Sequence, residues 1–172
     1  MKRYLFYILL FCSVSFVFSQ NSSTITFVIK NLGVNVDGYF NSFSVTTKFN
    51  ESTLDLERIS GSIKVVSIKT GIDSRDEHLL EEDYFNGAKH ELITLTSESV
   101  TKVSNGLYKV KANLKIKGIS KLITIKVDVQ KTDDSYKITS TFEINRKDFN
   151  IGGSSFVMSK TVKINVRHYQ KL

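Results

Sequence analysis

The residues best suited to metal binding or acid–base chemistry gather in one short stretch of the chain. Between 71 and 85 the sequence places His78 and Glu82 four residues apart, with Asp76 and Asp83 close by. On a helix this spacing brings an imidazole and a carboxylate to one face, as in many zinc sites. The same residues also fit the solvated acidic face of an ordinary surface helix. We predict neither a metal nor a cofactor here.

Other signals for an enzyme are poor. The chain has three histidines and one cysteine, Cys12, which falls in the leader described below. The run Gly152-Gly153-Ser154-Ser155 lacks the G-x-S-x-G spacing that places a serine on a nucleophile elbow. No glycine-rich phosphate loop occurs. We therefore predict a protein that is not an enzyme and has no catalytic residues.

One charged residue falls on the apolar side of its predicted strand. Arg146 shares the parity of Phe142 and Ile144, so its side chain should point inward at one end of the fold. A guanidinium in that position needs a partner, because an unpaired buried charge is very costly. The nearest suitable carboxylates in the pattern are Asp76 and Asp148. We predict a structural ion pair between Arg146 and one of them.

Residues 1–19 have the composition of a secretory signal peptide. Lys2 and Arg3 precede an apolar run, and small residues stand before a cleavage site after Ser19. The run is shorter than the ~20 apolar residues that a membrane-spanning helix needs. We expect a periplasmic or secreted protein in which 20–172 form a single domain. Because that part has no cysteine, neither a disulfide nor a thiol can contribute to it.

Most of the remaining chain alternates between apolar and polar residues, which is the period of a β-strand. The clearest run is 108–117, and the turn pair Asn105-Gly106 before it is typical of a hairpin. In 59–69 the parity switches at Val65-Val66, which indicates a bulge or a strand buried on both faces. Eight runs can be counted in all. They are 24–30, 36–49, 59–69, 92–102, 108–117, 119–130, 136–146 and 156–169.

Long antiparallel strands with one apolar face each predict an all-β fold, an eight-stranded antiparallel barrel, with a flat sandwich as the alternative. The stretch 71–85 predicts one short helix of about three turns between the third and fourth strands, with Ser74 as N-cap and Gly87 as C-cap. Leu79 and Phe85 on this helix would cover an open end of the barrel. The outward lysines, together with the absence of tryptophan, argue against an outer-membrane barrel.

The chain is basic, with 24 Lys and Arg against 17 Asp and Glu and a formal net charge of +7. Alternate lysines along 109–117 would suit nucleic acid or an anionic membrane. Such lysines are more commonly the solvent face of a strand, where they block edge pairing. We predict no nucleic-acid partner and leave a homodimer and transient membrane contact open.

The inward positions form an apolar lining that includes unusually small residues. Gly61, Ala112 and Ser140 share the parity of larger apolar neighbours and leave room inside, which favours a cavity over a solid core. The residues that we predict to contact a ligand are Phe27, Ile29, Phe43, Leu79, Phe85, Ile93, Tyr108, Val110, Leu114, Ile125, Phe142 and Ile164. This wall suits a long apolar or amphiphilic lipid. A filled barrel serving as a structural or protein-interaction module in envelope stress or adhesion is the alternative.

Several segments resemble, in chain order, those of the YceI-like family of bacterial secreted proteins. The similar segments are Ile25–Val34, Gly38–Phe40, Arg75–Leu79 with Asp83–Phe85 (R-D-x-H-L … D-F-F), Ile93–Ser97 (I-T-F-x-S), Leu114–Lys121 (L-T-I-x-G-V-T-K) and Phe142–Phe149 (F-x-I-x-R-x-D-F). The chain departs from that pattern at His90-Glu91, where proline is usual, at Leu95, where phenylalanine is usual, and at Asn150, where glycine is usual. The resemblance implies a lipocalin-like barrel that holds an isoprenoid, a quinone or a fatty-acid derivative.

Overall fold

A computed structural model describes residues 22–172, so the predicted signal peptide at 1–19 lies outside the described part. The described chain is all-β apart from one α-helix and two short 3₁₀ turns. The helix α1 is Asp73–Leu79. The strands are β1 (Thr24–Asn31), β2 (Val34–Phe40), β3 (Phe43–Phe49), β4 (Leu56–Lys64), β5 (Ile68–Lys69), β6 (Leu92–Ser104), β7 (Leu107–Ile116), β8 (Ile119–Lys131), β9 (Ser135–Asn145) and β10 (Met158–Lys171).

The strands form one strongly curled antiparallel sheet in the order β3-β4-β6-β7-β8-β9-β10-β1-β2-β5. The two ends of this order are linked by two bent segments of the chain. One segment forms β2 and then β3, and the next forms β4 and then β5. The first half of each segment pairs with one half of the other: β2 pairs with β5 through Tyr39 opposite Lys69, and β3 pairs with β4 through Phe43 opposite Ile63. The predicted antiparallel fold class is confirmed.

The count of eight strands is wrong, because two of the predicted runs are broken. The run 36–49 bends at Asn41-Ser42 and becomes β2 and β3. The run 59–69 is interrupted by a 3₁₀ turn, Val65–Ser67, at the parity switch that predicted a bulge. The Ser67 hydroxyl closes this turn by donating to the Lys64 carbonyl at 2.7 Å. A strand that follows a tightly curled sheet must bend, and these breaks are where it does so.

The helix lies between β5 and β6. These strands belong to the third and fourth predicted runs, so the position of the helix is as predicted, but the helix is shorter than expected. It has seven residues, its N-cap position is Ile72 rather than Ser74, and its C-cap is Leu80 rather than Gly87. The helix ends early because the chain turns back after Leu79. The Phe85 N–H donates a hydrogen bond to the Leu79 carbonyl at 3.0 Å. The residues up to 90 continue as turns over the sheet. Within 22–172, no helix is long and apolar enough to cross a membrane.

Two apolar clusters fill the inside of the curled sheet at different levels. We call the end that carries the β6–β7 hairpin the lower end, and the end that carries α1 the upper end. The lower cluster is solid and consists of Leu56, Ile59, Tyr108, Val110, Ala112, Ile125, Val127, Tyr136 and Ile138. The Tyr108 hydroxyl donates to Asp55 at 3.0 Å and closes that end. The upper cluster includes Ile25, Phe40, Ile68, Ile93 and Phe149 and packs under the helical segment.

Candidate ligand cavity

A cavity of about 360 Å³ lies between the two clusters, inside the curl of the sheet. Its wall is almost entirely apolar and is supplied by strands from all sides of the sheet and by the helical segment. Ligand pockets in proteins commonly have volumes of roughly 300–1,000 Å³ and are mostly apolar with a few polar groups. The size and the lining of this cavity both fall within that description.

The side of the wall formed by β1, β9 and β10 is only partly covered by the protein. Phe27 and Ile29 on β1, Phe142 on β9, and Ile164 and Val166 on β10 all line the cavity, yet all are only half-buried. Inward-facing residues of a solid core are normally buried completely. The fold therefore builds an apolar surface that its own side chains do not cover.

Most of the ligand contacts predicted from the sequence line the cavity, on several of its sides. Those that line the cavity are Phe27, Ile29, Leu79, Phe85, Ile93, Leu114, Ile125, Phe142 and Ile164. Contact of these side chains with a ligand stays a prediction.

Three of the predicted contacts lie elsewhere. Tyr108 and Val110 have the inward parity but belong to the solid lower cluster, below the cavity. Phe43 follows the bend at Asn41-Ser42 and packs against the upper cluster instead of the cavity. Among the small residues, Gly61 and Ser140 line the cavity, whereas Ala112 is buried in the lower cluster. Parity identifies the inner face of a strand but not the level at which the interior is empty.

The helical segment covers the upper side of the cavity. Leu79, Tyr84 and Phe85 contribute to the lining.

The polar side of α1 is held by the segment just before it. The buried Asp76 accepts hydrogen bonds from the Thr70 N–H at 2.8 Å and from the Thr70 hydroxyl at 2.6 Å. Lys69 Nζ lies 3.3 Å from the other Asp76 oxygen. Burial opposes ionisation of Asp76, but these partners outweigh it and lower the pKa of the carboxyl.

Arg146 is buried as predicted, but the predicted ion pair is wrong. Its guanidinium donates to backbone carbonyls, including those of Ile151 at 2.5 Å and Ser159 at 2.9 Å. Within 22–172 it forms no salt bridge: Asp76 is held by Thr70 and Lys69, and Asp148 accepts from Asn145 at 3.2 Å. The carbonyls come from the turn after β9 and from the start of β10, which together surround the guanidinium. Burial lowers the pKa of Arg146, because removal from water disfavours the charged form.

Of the described lining residues, only Asn31 on β1 and His78 on α1 are exposed. These two residues place the mouth of the cavity at the upper end, between the β1–β2 hairpin and α1. The His78 Nδ1 lies 2.8 Å from a Glu81 oxygen, and its ring meets Tyr84 edge-on at 4.7 Å between centroids. Glu82, the partner considered from the sequence, is not the one that His78 contacts. No group of three His, Cys, Asp or Glu in the described chain is placed to hold a metal.

Sequence reasoning missed several lining residues. Tyr84 follows α1 in an irregular segment and has no strand parity to follow. Met158, Val162 and Val166, by contrast, alternate with Ile164 along β10 and could have been added from the pattern alone. Phe40 was hidden because the bend after it changes the parity of its run.

Comparison with known proteins identifies the family. The model of the YceI-like domain matches residues 16–168. The chain belongs to the YceI-like family. A UPF0312 protein of Yersinia enterocolitica is 34% identical over 134 residues, which cover 74% of this chain and 69% of that protein. These matches confirm the resemblance seen in the sequence segments.

Solved structures share the fold at lower sequence identity. Burkholderia cenocepacia BcnA superposes with a TM-score of 0.80 at 22% identity, covering 86% of this chain and 96% of that one. A polyisoprenoid binding domain from Saccharophagus degradans, described as implicated in plant cell wall breakdown, gives a TM-score of 0.70 at 21% identity and covers 88% and 95% of the two chains. At these identities the YceI-like chain is shown to share their fold and nothing further.

Proposed function

We propose that this YceI-like protein binds one long apolar molecule inside the curled sheet and carries it outside the cytoplasm, without catalysing a reaction. The ligand class is a polyisoprenoid, a quinone or a fatty-acid derivative. The observation that carries the proposal is the half-buried apolar wall of β1, β9 and β10 around a cavity of about 360 Å³. The polyisoprenoid-binding description of the Saccharophagus degradans domain supports the ligand class. The signal-peptide pattern of 1–19 supports export.

An apolar chain needs no strong polar anchor to bind in such a place. Each CH₂ group removed from water contributes roughly 0.8 kcal/mol, before the cost of ordering the ligand is subtracted. The wall offers side chains of Ile, Val, Leu and Phe along its length, which suit the methyl branches of an isoprene chain. The two exposed lining residues, Asn31 and His78, are both polar and lie at the mouth, where a headgroup could meet water.

A pair of tryptophan substitutions tests this proposal. Ile164 points into the cavity from the middle of β10, opposite Phe27 on β1 and Phe142 on β9. Ile164→Trp should fill the cavity, while Lys163→Trp on the adjacent outward position should leave it open. The chain has no tryptophan of its own, so each variant carries a single emitting indole among the described residues. Binding is measured by titration with a fluorescently tagged geranylgeraniol after the purified protein has been delipidated.

The expected result is saturable binding by the wild type and by Lys163→Trp, with affinity at least about tenfold weaker for Ile164→Trp. Emission from Ile164→Trp should be blue-shifted relative to Lys163→Trp, which shows that the indole entered the apolar interior of a folded protein. If delipidated wild type does not take up the probe, or if both variants bind it equally, the carrier proposal fails. The alternative, a filled barrel that serves as a structural or protein-interaction module, would then be favoured.

A further inference from the structure

Four large apolar side chains stand exposed together at the upper end of the sheet. Leu32 is 74% exposed, Val34 67% and Val157 51%, and Phe156 is fully exposed. The Leu32 N–H donates to the Val157 carbonyl at 2.9 Å, which joins the β1–β2 hairpin to the segment before β10. We call these four residues the apolar tip. Exposed apolar patches on a water-soluble surface commonly mark interaction sites.

The apolar tip borders the mouth of the cavity. Asn31 is paired with Val34 on one side and with Met158 on the other, and both Asn31 and Met158 line the cavity. A molecule that leaves the cavity by this mouth therefore passes the tip directly. The described chain places two lysines beside it: Lys30 and Lys160 are exposed, each within four residues of a tip residue.

The hairpin turn itself is unfavourable for the residue that it carries. Leu32 adopts a left-handed backbone conformation, with φ of 50°, at a turn position that usually holds Asn or Gly. Leu54, in the loop at the lower end, has the same conformation with φ of 57°, so strain alone does not mark a site. What distinguishes Leu32 is its place among three other exposed apolar groups at the cavity mouth.

We propose that the apolar tip inserts into the surface of a lipid bilayer that contains anionic lipids, and so brings the cavity mouth to the membrane. Separate aliphatic and aromatic side chains on two loop ends suit the boundary between headgroups and acyl chains, and the flanking lysines suit anionic headgroups. The choice of a membrane over a protein partner rests on the proposed function, because the expected ligands are dissolved in membranes.

Leu32→Asn is the most informative variant. Asparagine tolerates the left-handed conformation better than leucine, so the substitution removes the apolar group and should not destabilise the fold. Leu54→Asn makes the same change, with the same relief, at the other end of the sheet and is the matched control. Phe156→Trp supplies a single indole in the described chain at the tip. Ile164→Trp, with its cavity blocked, separates membrane binding from ligand binding.

Binding is measured by co-sedimentation with vesicles of phosphatidylethanolamine and phosphatidylglycerol, and with vesicles of phosphatidylcholine alone. We expect wild type, Leu54→Asn and Ile164→Trp to bind the anionic vesicles alike, and Leu32→Asn to bind about tenfold more weakly. Phosphatidylcholine should retain less protein, and emission from Phe156→Trp should shift to the blue when anionic vesicles are added. Vesicle binding by Ile164→Trp would support membrane insertion of the apolar tip even if the proposed ligand binding failed its own test.

Equal vesicle binding by Leu32→Asn and wild type would overturn the proposal, as would an equal loss in Leu54→Asn. An indole at position 156 whose emission does not respond to vesicles would also overturn it. Sedimentation velocity of the free proteins provides the remaining comparison. If the wild type is a dimer that Leu32→Asn dissociates while vesicle binding is unchanged, the tip is an interface between two copies of the chain, and the membrane assignment is wrong.

Discussion

Replacing Arg146 tests how the upper end of the sheet is held together. Its guanidinium donates to the carbonyls of Ile151 at 2.5 Å, Ser159 at 2.9 Å, Met158 at 3.1 Å and Gly153 at 3.2 Å. These carbonyls belong to the turn after β9 and to the start of β10, so one side chain organises the whole connection. Arg146→Met keeps an unbranched apolar stem and removes every donor.

The expected loss follows from how deeply each of these hydrogen bonds is buried. The bond to Ile151 is buried, and leaving that carbonyl without a partner costs about 1–3 kcal/mol. The other bonds are partly buried, so water can replace the guanidinium, and each contributes about 0.5–1.5 kcal/mol. Removing a buried charge returns some free energy, because burial already lowers the pKa of this arginine. We expect the free energy of unfolding to fall by about 3–5 kcal/mol.

Urea unfolding followed by circular dichroism measures this loss, and limited proteolysis reports on the connection itself. Arg167→Met is the matched control, since Arg167 is exposed on β10. The control should unfold at the wild-type urea concentration, and Arg146→Met should also become cleavable between 150 and 157 in native conditions. If Arg146→Met unfolds within about 0.5 kcal/mol of wild type, the carbonyl bonds do not stabilise this end and our reasoning is wrong.

Two further predictions concern α1 and the cavity wall. Because the pKa of Asp76 is lowered in the folded protein, its contribution to stability should be complete above the unfolded-state value near 3.9 and lost as the pH falls through the folded value. Urea unfolding at pH 7 and pH 3 should therefore show a smaller pH dependence for Asp76→Asn than for wild type, and equal dependence would count against the Thr70 and Lys69 contacts. Gly38→Ala should lower the free energy of unfolding by about 1–3 kcal/mol, because its methyl group would lie 2.2 Å from the Phe27 ring. Gly61→Ala, where the nearest atom is 3.4 Å away, is the control, and an equal loss in both would contradict this packing.

The sequence alone determined the fold class and the face that the long unbroken strands turn inward. Strict alternation along β7, with buried Tyr108, Val110 and Leu114 between exposed lysines, needs only the two-residue period of a strand. The Asn105-Gly106 turn and the break in alternation before α1 are local signals of the same kind. The segments that resemble the YceI-like family are also local, which is why the family could be recognised from them.

Only the tertiary structure decided where the interior of the sheet is empty and which groups stabilise the buried charge of Arg146. Val110 and Ile164 have equivalent inward parities, but Val110 is packed in the lower cluster and Ile164 borders the cavity, because the curl of the sheet sets the packing at each level. Arg146 was predicted to need a carboxylate, since charge and parity are visible in the sequence. It is instead surrounded by carbonyls of its own connection, and the path of an irregular backbone has no period in the sequence to reveal it.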